Sequence, residues 1–259
     1  MVETIGFVGT GRIASAVVEG LMREAGPAVF SVAVSPRNAE RAAALADKFP
    51  GVSVAADNQA VIDRSRVVFL CVRPQAAVDV LAPLAFRSDQ TVVSLIPMPA
   101  AVIRSTVAPA RRLVRVLPLP TCARGMGAVP YWPAAEDDVR ELLARLGRPL
   151  PLASEHEFSV LWTATALIAP FYTFMETTAA WAVENGAAAD TASDYVAGMF
   201  NALAAGALDG PADRFGLLAA EGATPGGLNE QALAMLRAGG ACDRVREALD
   251  AILKRITTA

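Results

Sequence analysis

Residues 4 to 14 read Thr-Ile-Gly-Phe-Val-Gly-Thr-Gly-Arg-Ile-Ala, a short apolar run that ends on two glycines one position apart. Ile13, Ala16, Val17, Gly20 and Leu21 then recur at helical spacing, so the segment predicts a buried strand, a tight turn and a helix from Arg12 to about residue 24. Gly9-x-Gly11-x-x-Ala14 has a distinct physical role at each small residue. Gly9 takes the turn leaving the strand, Gly11 leaves the backbone bare, and small Ala14 lets helix and strand approach closely. Unpaired N–H groups and the positive dipole end of such a helix attract an anion. The pattern therefore predicts a dinucleotide-binding turn, with Gly9, Thr10, Gly11, Arg12 and Ile13 around the diphosphate.

Phe30–Val34 is a second strand, and the residues that follow it bear on which dinucleotide. An NAD site usually carries Asp or Glu there, on the ribose hydroxyls. Here the strand runs into Ser35-Pro36-Arg37-Asn38, without an acid. A hydroxyl, an amide and a guanidinium fork suit a 2′-phosphate, so NADP is expected at Ser35, Arg37 and Asn38, with NAD the alternative. A plain solvated Arg37 is the other reading of that position.

The alternation continues with strands at Val52–Ala55, Val67–Val72, Thr91–Leu95 and Leu113–Val116. Between them fall helices at Ala39–Phe49, Asn58–Arg64, Ala76–Leu84 and Pro99–Val107. After a connection near Met126–Tyr131 come a helix at Asp137–Leu146 and a short strand at Leu150–Leu152. This order predicts an α/β Rossmann-type, doubly wound parallel sheet. Beyond Ser154 the pattern is helical: Glu155–Gly186 interrupted at Pro170, then Thr191–Leu208, Pro211–Glu221, Asn229–Ala238 and Cys242–Thr257. Two domains are expected, an NADP-binding domain over 1–152 and an all-α domain over 153–259 that serves dimerisation and substrate binding.

Other features narrow the function classes. A formal charge of −3 without a long basic run argues against nucleic acid. The apolar runs Val67–Val72 and Val92–Ile96 are far shorter than the roughly 20 residues that span a bilayer, so no membrane segment is expected. The first residues lack a basic n-region, and no signal peptide is expected. Cys71, Cys122 and Cys242 are too scattered for a disulfide framework or a zinc site, which fits a cytoplasmic protein. His156 is the single histidine and reads as a cap or surface residue, so no metal is expected. The chain's two lysines, Lys48 and Lys254, are not placed for the lysine chemistry of two-domain hydroxyacid dehydrogenases.

Along nearly its whole length the chain resembles the pyrroline-5-carboxylate reductase family. The resemblance rests on Ile5 through Ala14, Asp57-Asn58, Phe69-Leu70-Cys71-Val72-Arg73-Pro74-Gln75, Arg115-Val116-Leu117-Pro118, the helical positions Pro170, Tyr172 and Glu176, and Thr224-Pro225-Gly226-Gly227 with Leu236–Gly240 behind it. It implies hydride transfer from NADPH or NADH to the C=N bond of a cyclic imine carboxylate, in a homodimer joined through the helical domain. It further implies that Asn58, Cys71, Val72, Arg73 and Pro74 line the cofactor. Thr224, Gly226 and Gly227 would bind the substrate carboxylate as an anion nest, beside Tyr172. Asn229 stands where the family has Thr near the imine nitrogen, and is the candidate catalytic residue.

Several departures lie on the substrate side. Asn229 donates a hydrogen bond but is a poor proton source. Ala166-Leu167-Ile168-Ala169 is bulkier and more apolar than the family's Ser-Gly-Ser-Gly, Leu119 replaces an Asn, and Ile96-Pro97-Met98 replaces Ala-Ala-Gly. Two alternatives therefore stay open: another imine or carbonyl substrate on the same scaffold, or a non-catalytic NADP-binding protein. Trp162, Phe171, Phe174, Met175 and Trp181 are expected to form dimer core.

Overall fold

The computed structural model describes residues 3–23 and 30–258, so the expected end of the first helix near residue 24 lies outside the described residues. Six strands, β1 (Glu3–Val8), β2 (Phe30–Val34), β3 (Val52–Val54), β4 (Val67–Leu70), β5 (Thr91–Ser94) and β6 (Arg112–Val116), alternate with five helices. These are α1 (Arg12–Met22), α2 (Ala39–Lys48), α3 (Asn58–Arg64), α4 (Pro74–Leu81) and α5 (Ala100–Thr106). The strands are parallel, in the order β3-β2-β1-β4-β5-β6. That order reverses between β1 and β4, which opens a crevice at the carboxyl edge of the sheet.

The strand alternation divides the core between the two faces of the sheet. Phe7 and Phe69 point to one face with Val17, Leu21 and Leu45, and their rings stack at 4.7 Å with an interplanar angle of 11°. Val8, Val68 and Leu70 point to the other, against Ile62, Leu81 and Ile103.

One element differs from expectation. The segment read as a connection near 126–131 contains β7 (Ala128–Trp132), antiparallel to β6. Pro130 hid it, because a proline removes a ladder donor and usually argues against a strand. α6 (Asp137–Leu146) then leads to β8 (Arg148–Pro151), parallel to β7, which completes an eight-stranded sheet among the described residues.

The chain forms two compact units, Met1–Leu161 and Trp162–Ala259. Between 152 and 161 lies most of α7 (Glu155–Ala164), which stays with the first unit because Glu155 pairs with Arg115 and Phe158 is fully buried. Its start is fixed by Ser154, whose hydroxyl accepts from the N–H of Glu157, while the Glu157 carboxylate accepts from the N–H of Ala153.

The second unit contains a 3-10 turn (Thr165–Leu167), α8 (Ile168–Glu184), α9 (Ala189–Gly206), α10 (Arg214–Gly222), α11 (Leu228–Ala238) and α12 (Ala241–Thr258). The turn stands just before Pro170, which has no N–H to bond back and whose ring crowds the carbonyl of residue 166. α8 and α9 meet through Phe200, with Phe171 and Phe174 edge-on to it at 5.9 and 5.7 Å. Among the described residues of this unit only Thr163, Ala192 and Val196 are buried. Phe174 is 51% exposed, Trp181 63% and Tyr195 70%.

The expectation that no segment suits a membrane needs correction. Glu155–Glu184 is a 30-residue helical stretch with a mean hydropathy of 1.4 in its most apolar window, long and apolar enough to cross a bilayer by length and composition.

The Phe7–Phe69 stack is central to the sheet. Phe69→Ala is expected to lower unfolding free energy by about 3–5 kcal/mol, measured by urea denaturation.

Candidate active site

Gly9 leaves β1 with φ +96°, and a Cβ there would stand 2.8 Å from the backbone carbonyl of Cys71. The turn is held from below by two buried hydroxyls. The N–H of Gly9 donates to Ser35 Oγ at 2.9 Å, the Thr10 hydroxyl donates to the Ser35 carbonyl at 2.6 Å, and the two hydroxyl oxygens lie 3.1 Å apart. Ser35 is fully buried, so the hydroxyl expected at a 2′-phosphate instead braces the glycine turn, as does Thr10.

Above the turn the geometry is open. A Cβ at Gly11 would meet nothing within 4 Å. Gly11 caps α1 without a side-chain hydrogen bond, and the first turn of α1 has no acidic residue. The N–H groups of Arg12 and Ile13 begin that helix, and Arg12 is exposed. This is a donor-rich, uncapped helix start with room for a diphosphate.

Beside it, Arg37 is exposed and no hydrogen bond or ion pair among the described residues engages it. Asn38 is exposed too, with its Oδ1 accepting from the N–H of Arg41 at the start of α2. Asn58 opens α3 and is half-buried behind the cap Asp57, whose carboxylate accepts from the N–H of Ala60. Cys71 and Val72 are half-buried where β4 ends, Arg73 is exposed as the cap of α4, and Pro74 takes its first position. Burial pushes the Cys71 thiol well above its ordinary range, so it remains a neutral wall at physiological pH. Thus Gly9–Ile13, Arg37, Asn38, Asn58 and Cys71–Pro74 all follow the carboxyl ends of β1, β2, β3 and β4. Their shape and charge fit a phosphorylated dinucleotide.

At β6 the structure adds a partly buried ion pair. Arg115, 3% exposed, donates from Nη1 to Glu155 Oε1 at 2.7 Å, and its guanidinium lies 4.3 Å over the Phe158 ring. The same oxygen accepts from the N–H of Ala100 at 2.6 Å. Burial pulls the Arg115 pKa down and Glu155 offsets part of that. An arginine inside the apolar run Leu113–Val116 was the available signal.

In the helical unit, Thr224-Pro225-Gly226-Gly227 forms the turn ahead of α11. Gly226 has φ +71°, and a Cβ on Gly227 would come 2.5 Å from Thr224 Oγ1. The N–H of Gly227 donates to the Thr224 carbonyl at 2.9 Å, and that of Gly226 to Glu230 Oε2 at 2.7 Å. Both glycine donors assigned to a carboxylate by the resemblance are therefore engaged within the turn. The Asn229 side chain donates to the Gly222 carbonyl at 3.1 Å, and Tyr172 is 60% exposed against Phe171. Glu230, unremarked in the sequence, is the residue that closes this turn.

The open glycine loop on a β3-β2-β1-β4-β5-β6 sheet places the protein in the class of dinucleotide-binding oxidoreductases. Residues 4–97 match the model described as NADP oxidoreductase, coenzyme F420-dependent, and residues 159–259 match pyrroline-5-carboxylate reductase dimerisation. A pyrroline-5-carboxylate reductase from Corynebacterium melassecola is 31% identical over 188 residues, covering 68% of each chain. The 1-pyrroline-5-carboxylate reductase structure from Streptococcus pyogenes superposes with a TM-score of 0.82 at 23% identity, covering 99% of this chain and 98% of that one. A Plasmodium falciparum pyrroline carboxylate reductase solved with NADP bound gives 0.81 at 17% identity, covering 99% and 97%. The chain belongs to the pyrroline-5-carboxylate reductase family.

The two glycines predict opposite phenotypes. Gly9→Ala is expected to destabilise by on the order of 1–3 kcal/mol through its positive φ, before any clash with Cys71 is added. Gly11→Ala is expected to keep the wild-type melting temperature and lose about tenfold or more in NADPH affinity, since it fills only the space a diphosphate needs. Calorimetry with thermal melts separates the two.

Proposed function

We propose that the protein is an NADPH-dependent reductase of a cyclic imine carboxylate, converting pyrroline-5-carboxylate to proline. The observation that carries the reading is the uncapped α1 start with open space over Gly11, in a chain that also keeps the Thr224-Pro225-Gly226-Gly227 turn. NADPH, when bound, supplies the hydride.

The chain's own residues bind and orient. Gly11, Arg12 and Ile13 offer backbone donors to the diphosphate, and Arg37 with Asn38 meets the 2′-phosphate that selects NADP over NAD. Thr224 offers its hydroxyl to the substrate carboxylate. The N–H groups at the head of α11, those of Leu228 and Asn229, take the place of the engaged glycine donors. A cyclic iminium is already protonated when it binds, so the site needs geometry and exclusion of water more than a general acid. Asn229 accordingly acts as a hydrogen-bonding neighbour of the imine nitrogen, without delivering a proton.

The reading extends to assembly and location. Self-association through the helical unit fits the dimerisation match and the exposed Phe171, Phe174, Trp181 and Tyr195. We take the unit of function to be a homodimer in the cytoplasm, with Glu155–Glu184 covered by protein and not by lipid. Neither nucleic acid nor metal enters this reading; among the described residues no group of His, Cys, Asp and Glu is arranged to hold an ion.

One observation favours a second substrate. The Asn229 amide donates to the Gly222 carbonyl, and Ile168 is apolar where the family has a small polar residue, so a less polar imine or a carbonyl compound is the alternative substrate.

Purified protein is expected to oxidise NADPH when given pyrroline-5-carboxylate and to form proline. Absence of turnover there, with turnover of a less polar imine or of a carbonyl compound, selects the second substrate; no turnover on any of these contradicts the reductase reading. Trp181→Glu is expected to shift the protein from dimer to monomer in sedimentation, because it places a charge on the apolar face of α8.

A further inference from the structure

Glu155 Oε1 takes two donors at once, the N–H of Ala100 at 2.6 Å and Nη1 of Arg115 at 2.7 Å. These come from separate elements at the carboxyl edge of the sheet. Ala100 opens α5, immediately after the loop that leaves β5, and Arg115 sits next to the last residue of β6. The loop between β5 and α5 is already tight: the N–H of Ile96 donates to Ser94 Oγ at 3.2 Å, and the N–H of Met98 to the Ile96 carbonyl at 2.8 Å. Pro99 caps α5 without a side-chain bond, so Glu155 supplies the acceptor that the helix start otherwise lacks.

The strand order locates this loop relative to the cofactor. A dinucleotide lies across the switch point with its diphosphate at the first glycine turn and one ribose at the end of β2. Its other half must extend toward β4, β5 and β6. The segment Leu95–Pro99 and the exit Leu117-Pro118 therefore form the wall at the nicotinamide end. Arg115 itself, 3% exposed beneath that wall and stacked on Phe158, is too deep to meet a ligand.

We propose that Arg115 and Glu155 are a positioning pair: the buried guanidinium fixes the Glu155 carboxylate, which clamps the start of α5 and so holds the Leu95–Pro99 wall against the nicotinamide. The inference rests on the chain's reading as an NADPH-dependent reductase. Neither residue touches cofactor or substrate. A buried charge stripped of its partner destabilises strongly, whereas removal of both charges is often tolerated.

The test uses the full chain as wild type, Glu155→Gln, and the double variant Arg115→Met with Glu155→Gln, which leaves no unpaired buried charge. Calorimetry compares NADPH with 2′,5′-ADP, a fragment that has the 2′-phosphate and adenosine but no nicotinamide. Both variants are expected to bind the fragment within about twofold of wild type, to bind NADPH about fivefold more weakly, and to lose about tenfold or more in kcat with an increased isotope effect from deuterated NADPH. Equal weakening of NADPH and fragment would mean a loosened domain and overturns the proposal, as does a double variant with wild-type NADPH affinity and kcat. If wild-type protein reduces no imine, the reductase reading fails while the NADPH–fragment comparison still decides the positioning role.

Discussion

The glycine turn after β1 depends on the hydroxyl brace beneath it. An exposed turn with bare backbone would be free to sample other conformations, since glycine restricts φ least of all residues. Here the Gly9 N–H is bound by Ser35, Thr10 is bound to the same residue, and the Cys71 carbonyl closes the third side. The brace links β1 to β2 and β4 at the level where the strands end. What remains open is the outward face, with Gly11 uncrowded and the first N–H groups of α1 without a cap. Rigidity below and vacancy above are the two conditions of a preorganised anion site, and the pattern of glycines supplies only the second.

The helical unit is organised on a contrary principle. Its helices are regular, yet Thr163, Ala192 and Val196 are its only buried residues among those described. A unit that buries so little apolar surface has little hydrophobic stabilisation of its own. Of the aromatic residues on α8 and α9 that would form a core in a monomer, Tyr172, Phe174, Trp181 and Tyr195 stand more than half exposed. Self-association, which the dimerisation match supports, would supply apolar cover for these side chains.

Much of this was legible in the residues, and the gaps have physical causes. β-branched runs alternating with amphipathic segments identify parallel strands and their covering helices, because both faces of such a sheet are buried. β7 escaped because Pro130 contradicts the usual strand pattern. The residue type of Ser35 marked it for a phosphate, but type does not reveal direction, and its hydroxyl turns inward to Gly9. The turn Thr224–Gly227 was legible as a motif, whereas Glu230 closing it was not, since an acid at that spacing is also an ordinary solvated helix residue. Arg115 and Glu155 lie 40 positions apart, and only tertiary structure brings such a pair together. Periodicity reports local geometry; long-range polar pairing leaves no local trace.

In the proposed reaction hydride passes from NADPH to the carbon of a cyclic C=N bond. The most direct measurement is mass spectrometry of the product formed from pyrroline-5-carboxylate with NADPH deuterated at the transferred position. The expected product is proline carrying one deuterium on the former imine carbon. NADPH consumption without labelled proline, or proline free of the label, would contradict it.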